Sequence, residues 1–215
     1  MEVIIEQHRQ LRTYIEKLIP DVEEETWQHF ADKLIVRHYR KGEVVIKPGM
    51  VCNHVSYVNK GLLRSYYLVD GKEIITSFFA EACYFSDYES FLSRKPAVMY
   101  SEAIEDMEVV DLNYDGLQSL YATYPQCERV GRLVAEELFV HLSNRNSSFM
   151  LDTPEQRYFR FLEECEPIVQ RIPQYMIASY LGITPEALSR IRTRISRKPA
   201  GSLIIDPNQL KARNC

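Results

Sequence analysis

No apolar run in the chain approaches the roughly 18 residues that a membrane span requires. The N-terminus, MEVIIEQHRQ, has neither the basic start nor the apolar core of a secretory signal. A cytoplasmic protein without membrane association is therefore expected. The five cysteines (Cys52, Cys83, Cys127, Cys165, Cys215) are scattered singly, with no CxxC and no Cys/His cluster. Such an odd, dispersed set reads as reduced structural thiols. Cys52 and His54 stand close together, but two further ligands at suitable spacing are missing, so no metal site is expected. Four neighbouring thiolates for an iron–sulfur cluster are missing too. GxSxG, P-loop and GxGxxG signatures are absent, and the five histidines (His8, His29, His38, His54, His141) never pair as HxxxH. No enzyme is expected, although spacing in sequence does not forbid a triad assembled in space.

Negative charge is scarce in one stretch only. The chain carries a net −4, yet residues 151–215 hold ten Lys and Arg against seven Asp and Glu, leaving −7 on residues 1–150. Within 171–198 there are six basic residues and a single acid, Glu186. A local cationic patch is what phosphate binding needs, whatever the whole-chain charge.

That patch lies in IPQYMIASYLGITPEALSRIRTRI, residues 172–195, which reads as two short helices and a tight turn. Ile177, Ala178 and Leu181 form the apolar side of the first. Gly182 supplies a left-handed turn, Thr184 an N-cap and Pro185 a first helical position. Leu188, Ile191 and Ile195 recur on one face of the second helix, while Ser189, Arg190, Arg192, Thr193 and Arg194 are assigned to the other. An apolar back and a front of donors suit a helix lying in a DNA major groove. An ordinary helical hairpin with a solvated basic face is the plainer alternative.

Elsewhere the periodicity is mixed. Residues 3–18 carry a helical stripe (Val3, Ile4, Ile5, Leu11, Ile15, Leu18), and EEETWQHFADKL predicts a second helix burying Trp27, Phe30 and Leu34. From Ile35 short β-prone runs follow, punctuated by glycine, with a hairpin at Asp70-Gly71 and further strands at Ile74–Phe79 and Ala103–Asn113. Many short strands predict a sandwich or barrel. The polar insertion FSDYESFLSRKPAVMYSE is a natural pocket rim. Helices are expected at Asp115–Tyr124 and at 126–149. The second spans roughly 36 Å, and its Val130, Val134, Leu138 and Leu142 stripe suggests burial against a second copy. Packing within one chain is the alternative. Asp152-Thr153-Pro154-Glu155 signals a new helix with Tyr158, Phe159 and Leu162 inward. Ser202–Asp206 reads as a short strand.

A β-roll, a long helix and a winged helix-turn-helix, in that order, resemble the Crp/Fnr family of bacterial transcription regulators. The likeness covers essentially the whole chain. Its most specific stretches are KGEVVIKPG…VSYVNKGLLRSYYLVDGKEIITSFF and IPQYMIASYLGITPEALSRIRTRI, and ITPEALSRIR is similar to the Bacteroidetes-type branch. The implied class is α+β, with a sensor roll over 1–125, a dimerisation helix and hinge over 126–150, and a winged helix-turn-helix over 151–215. Matched to the family, Glu186 accepts from a cytosine amine and Arg190 makes the bidentate contact to guanine. Thr184, Ser189 and Arg194 contact phosphate, with Arg192 on the same face. Pro185 stands where the catabolite-activator type has a base-reading arginine.

The roll departs further from that pattern. Ser86 and Asp87 occupy the Gly-Glu positions that hold a ribose hydroxyl, and Ala97 and Val98 replace the Arg-Ser pair that binds a cyclic phosphate. A buried phosphate without a paired cation costs several kcal/mol. Arg94 and Lys95 are the nearby substitutes. Cyclic AMP is not the expected effector, and no cofactor is assigned. The resemblance implies as partners double-stranded DNA, a second copy of the chain through the 126–149 helix, RNA polymerase and an unidentified small-molecule effector. A small-molecule-binding module acting through protein partners is the alternative function.

Overall fold

The computed structural model describes residues 7–196, and the chain divides into two units, Met1–Leu151 and Asp152–Cys215. Val3–Ile5, Arg197, Lys198 and the strand expected at Ser202–Asp206 lie outside the described residues.

The first unit opens with α1 (Arg9–Leu18) and α2 (Glu24–Ala31). Leu11 and Ile15, one turn apart, are the buried positions of α1, and Trp27 and Phe30 those of α2. Leu34, expected on α2, instead begins β1 (Leu34–Tyr39) opposite Leu112, because the helix stops at Ala31. Strands β2 (Val44–Ile46), β3 (His54–Lys60), β4 (Leu63–Val69), β5 (Lys72–Phe79) and β6 (Tyr84–Phe85) follow. After a short helix, α3 (Tyr88–Ser93), come β7 (Tyr100–Ala103) and β8 (Met107–Asn113). The single strand expected from Ala103 to Asn113 is thus two strands in different sheets. The chain turns at residues 104–106, and Tyr100–Glu102, expected as rim, are sheet.

Two antiparallel four-stranded sheets result, in the orders β1-β8-β3-β6 and β2-β7-β4-β5. The β4–β5 hairpin turns at Asp70 and Gly71, both with positive φ, which matches the twist of its strands. Between the sheets lie Val58, Leu63, Phe85, Ala103, Met107 and Val109. Alternation sends the next residue, Val110, to the opposite face, where Tyr57 and Leu112 join Leu11, Trp27 and Phe30 in a second core. Strand β8 is buried almost throughout because it serves both cores.

Helix α4 (Tyr114–Thr123) is capped by the Asn113 side chain, which accepts the Gly116 N–H at 2.8 Å. Helix α5 (Pro125–Leu151) then runs 27 residues, about 40 Å. Cys127 and Val130 pack into the second core, while Phe139 (73% exposed), Leu142, Met150 and Leu151 face outward.

In the second unit, α6 (Pro154–Glu164) starts at a capping box formed by Thr153 and Gln156. Its buried positions are Tyr158 and Phe161, three apart. Phe159 and Leu162, the other residues expected inward, flank that stripe and are half-exposed. A 3-10 turn (Val169–Arg171) leads to α7 (Gln174–Tyr180), a tight turn and α8 (Pro185–Ser196).

Candidate functional site

The α7–α8 pair is built from backbone chemistry outward. At the end of α7, the Ile183 N–H reaches the Ala178 carbonyl and the Gly182 N–H the Ser179 carbonyl, both at 3.0 Å. This is a Schellman closure, and it requires the left-handed φ of +67° that Gly182 adopts. Thr184 Oγ1 then accepts the Ala187 N–H at 3.2 Å and starts α8. Ile177, Ala178, Leu181, Leu188 and Ile191 are buried. Their burial pins the outward orientation of α8.

Glu186, Ser189, Arg190, Arg192, Thr193 and Arg194 are all exposed, but their side chains stand in different circumstances. Arg190 makes no ion pair among the described residues. Arg194 Nη1 lies 3.0 Å from Glu155 Oε2 on α6. Arg192 is set two residues from Arg190, about 200° around the helix. It lines a groove of about 620 Å³ with Tyr158, Leu188 and Ile195. Ser189 and Thr193 line the same groove. Glu186 folds back on its own N–H and on the Thr184 hydroxyl, which hold its carboxyl below the ordinary range, with Arg190 adding to the effect. Its carboxylate already serves the helix N-terminus, where negative charge is favoured.

The second candidate is the loop and short helix over 86–98. The Ser86 hydroxyl donates to the His54 carbonyl at 2.8 Å and lies 3.3 Å from Cys52 Sγ. Asp87 is buried and caps α3 by accepting the Ser90 N–H at 3.1 Å. Ser90 Oγ accepts the Cys52 N–H at 2.9 Å and donates to the Lys95 carbonyl at 2.6 Å. Arg94 ends α3 in the left-handed conformation. Its Nη1 donates to the carbonyls of Cys52 and Phe91, both at 3.1 Å, and its Nη2 to Asn53 Oδ1 at 2.7 Å. The guanidinium also sits 4.1 Å from the Tyr114 ring centroid. It is not a solvated loop charge but a tie between this 86–98 segment, the cassette, and the lead into β3. Lys95 is exposed, Ala97 is buried with its backbone paired to residues 49–50, and Val98 is exposed. The structure does not bring Ser86, Asp87, Arg94 and Lys95 together as one ligand set.

Two polar clusters escaped the sequence reading. Arg64, 5% exposed, pairs with Glu73 and Glu102 and lies over the Tyr66 ring at 4.5 Å. Burial opposes its charge, but the two carboxylates more than offset that and hold the guanidinium above its ordinary value. Asp111, 1% exposed, accepts from Ser56 at 2.6 Å and from Arg37 at 2.8 Å. Burial nonetheless raises its carboxyl, and burial likewise lowers the imidazole of nearby His54. An arginine inside an apolar strand run was the one signal for the first cluster. The second joins residues from three strands and left none. Among the described residues no group of three His, Cys, Asp or Glu side chains is placed to hold a metal ion.

Residues 36–124 match the family model of the cyclic nucleotide-binding domain. The chain carries a cyclic nucleotide-binding domain. No curated protein matches the chain in sequence. Among solved structures it is similar to FixK2 from Bradyrhizobium japonicum (25% identity, 76% of this chain and 84% of that one, TM-score 0.64). It also resembles the c-di-GMP-responsive global regulator CLP of Xanthomonas campestris (17%, 81% and 92%, TM-score 0.64). A third neighbour is a Crp/Fnr family transcriptional regulator from Eubacterium rectale (19%, 83% and 86%, TM-score 0.62). The fold matches that of these Crp/Fnr neighbours: a β-roll followed by a long helix.

Proposed function

We propose that the chain is a homodimeric, sequence-specific DNA-binding transcription regulator of the Crp/Fnr type, acting in the cytoplasm and not as an enzyme. The observation that carries this reading is α8 itself. Its apolar back, Leu188 and Ile191, is buried, and Arg190 stands on the opposite, exposed side without an ion-pair partner among the described residues. In this reading α7 and α8 form a helix-turn-helix, Arg190 reads guanine, and Thr184, Ser189 and Arg194 contact phosphate. Glu186 reads cytosine only after leaving its hold on the helix start.

The outer apolar stripe of α5, with Phe139, Val140 and Leu142 exposed, supports pairing with a second copy. Pairing would set two α8 helices for successive major grooves, about 34 Å apart. Contact with RNA polymerase would carry the regulatory outcome. The roll is proposed not to take cyclic AMP, because no arginine stands at 97–98 and Arg94 is committed elsewhere. No helix among the described residues is long and apolar enough to cross a membrane.

The test is fluorescence anisotropy with a labelled duplex from upstream of the protein's own gene, at two salt concentrations, with and without cyclic AMP. Salt-sensitive binding indifferent to the nucleotide is expected. Binding only with cyclic AMP would overturn the reading of the roll. Binding undiminished by replacing both Arg190 and Arg194 with Ala would overturn the assignment of the face.

A further inference from the structure

Away from both candidate sites, a cavity of about 60 Å³ lies between the outer face of the β1-β8-β3-β6 sheet and the helices packed on it. Its walls are apolar, from Leu11, Phe30, Val110 and Leu117 among others, and α5 contributes Cys127, Val130, Gly131 and Val134. Tyr84, Tyr88 and Tyr121 also line it. None of these three hydroxyls makes a hydrogen bond among the described residues. Burial pushes Tyr121 up to about 12 and raises Tyr84 and Tyr88, so all three remain O–H donors at neutral pH. The three phenols also lie near enough for Tyr121 to be influenced by Tyr88 and Tyr84 by Tyr121.

Gly131 brings α5 up to this group. A Cβ there would overlap the Tyr121 hydroxyl, so the bare backbone is what lets the phenol lie against the helix. The three tyrosines are half-buried, and hydroxyls in such places normally find partners, while purely apolar cavities stay dry and accept apolar guests. A void with largely apolar walls and three tyrosines whose hydroxyls have no protein partner among the described residues combines both properties.

We propose that this cavity is a binding site for a small uncharged molecule with an apolar body and one hydrogen-bond acceptor, such as a carbonyl oxygen. Its volume admits only a few heavy atoms, which excludes a nucleotide. Bound there, the molecule contacts Val130 and Val134 of α5 and Tyr88 of α3. It thus touches both the long helix and the cassette without entering the interior of the roll.

Methyl-resolved NMR of the full chain, titrated separately with dissolved xenon and with acetone, tests this. Saturable shifts centred on Val130, Val134 and Leu117 are expected with both probes. The Tyr84→Phe/Tyr88→Phe/Tyr121→Phe variant should keep its response to xenon, which also reports that it is folded. Its acetone affinity should fall about 2- to 10-fold. Shifts that spread over the protein without saturating, or none at all, would reduce the cavity to a packing defect. Acetone affinity unchanged in the triple variant would remove the hydroxyls from the proposal. Should that variant not fold, Tyr121→Phe alone gives the same comparison, with a smaller loss of acetone affinity expected and no loss overturning its role.

Discussion

Arg190 and Arg94 are both exposed arginines on or beside a helix, and they stand in opposite situations. Arg94 spends its donors on two carbonyls and an amide oxygen of its own domain and lies over a tyrosine ring. Arg190 makes no ion pair among the described residues, while the helix beneath it is anchored by Leu188 and Ile191. Exposure alone therefore does not mark a binding residue. What distinguishes the two is whether neighbouring backbone has claimed the donors. A helix has satisfied most of its own carbonyls and leaves an outward arginine free. The loop over 86–98 has not, and takes its arginine as a structural tie.

The comparison can be broken first at the level of assembly. Phe139→Glu places a charge in the proposed dimer stripe. It should convert a dimer to a monomer by light scattering and lower operator affinity by about 100-fold or more, as the two half-sites cease to be held together. Dimers of full affinity would show that α5 is not the interface. Next, Arg190→Ala should cost about 1–3 kcal/mol of binding and relax specificity at one base position, with the melting temperature unchanged. A loss of stability with no change in affinity would make Arg190 structural, and the contrast with Arg94 would collapse.

The reverse outcome is expected at the cassette. Arg94→Ala should lower stability by about 2 kcal/mol in denaturant melts, with intrinsic DNA contacts intact. Arg194→Ala should change stability by no more than about 1 kcal/mol, because its pair with Glu155 is exposed on the arginine side, and should weaken DNA binding less than Arg190→Ala.

The smallest effect concerns pH. Burial lowers the imidazoles of His8 and His54 below the ordinary 6.5, so the folded state binds fewer protons there than the unfolded chain. Their contribution is fully present above pH 6.5 and is lost as pH falls through the lowered folded values. Melting temperature should decline from pH 7.5 to 5.5, and His8→Leu should flatten that slope.

Helix α8 was legible because every determinant of it is local. Gly182, Thr184, Pro185 and the 188/191 spacing specify a turn, a cap and a buried back within a dozen residues. Helical geometry also sets Arg192 about 200° around α8 from Arg190, on the side of the groove that Ser189 and Thr193 line. The roll was legible in its hairpins but not in its divisions. Nothing in the run from Ala103 to Asn113 announces that the first residue belongs to one sheet and the last seven to another.

By itself, then, the sequence determined where the chain turns helical, where it caps, and which helix presents arginines outward, because those choices depend on neighbours within a turn or two. Only the tertiary structure decided what each arginine does. Whether Arg64 meets Glu73 and Glu102, Arg94 the carbonyl of Cys52, or Arg194 the carboxylate of Glu155 depends on acceptors 9 to 42 positions away in the chain. Such partners are brought within reach by strand register and helix packing, which no periodicity encodes.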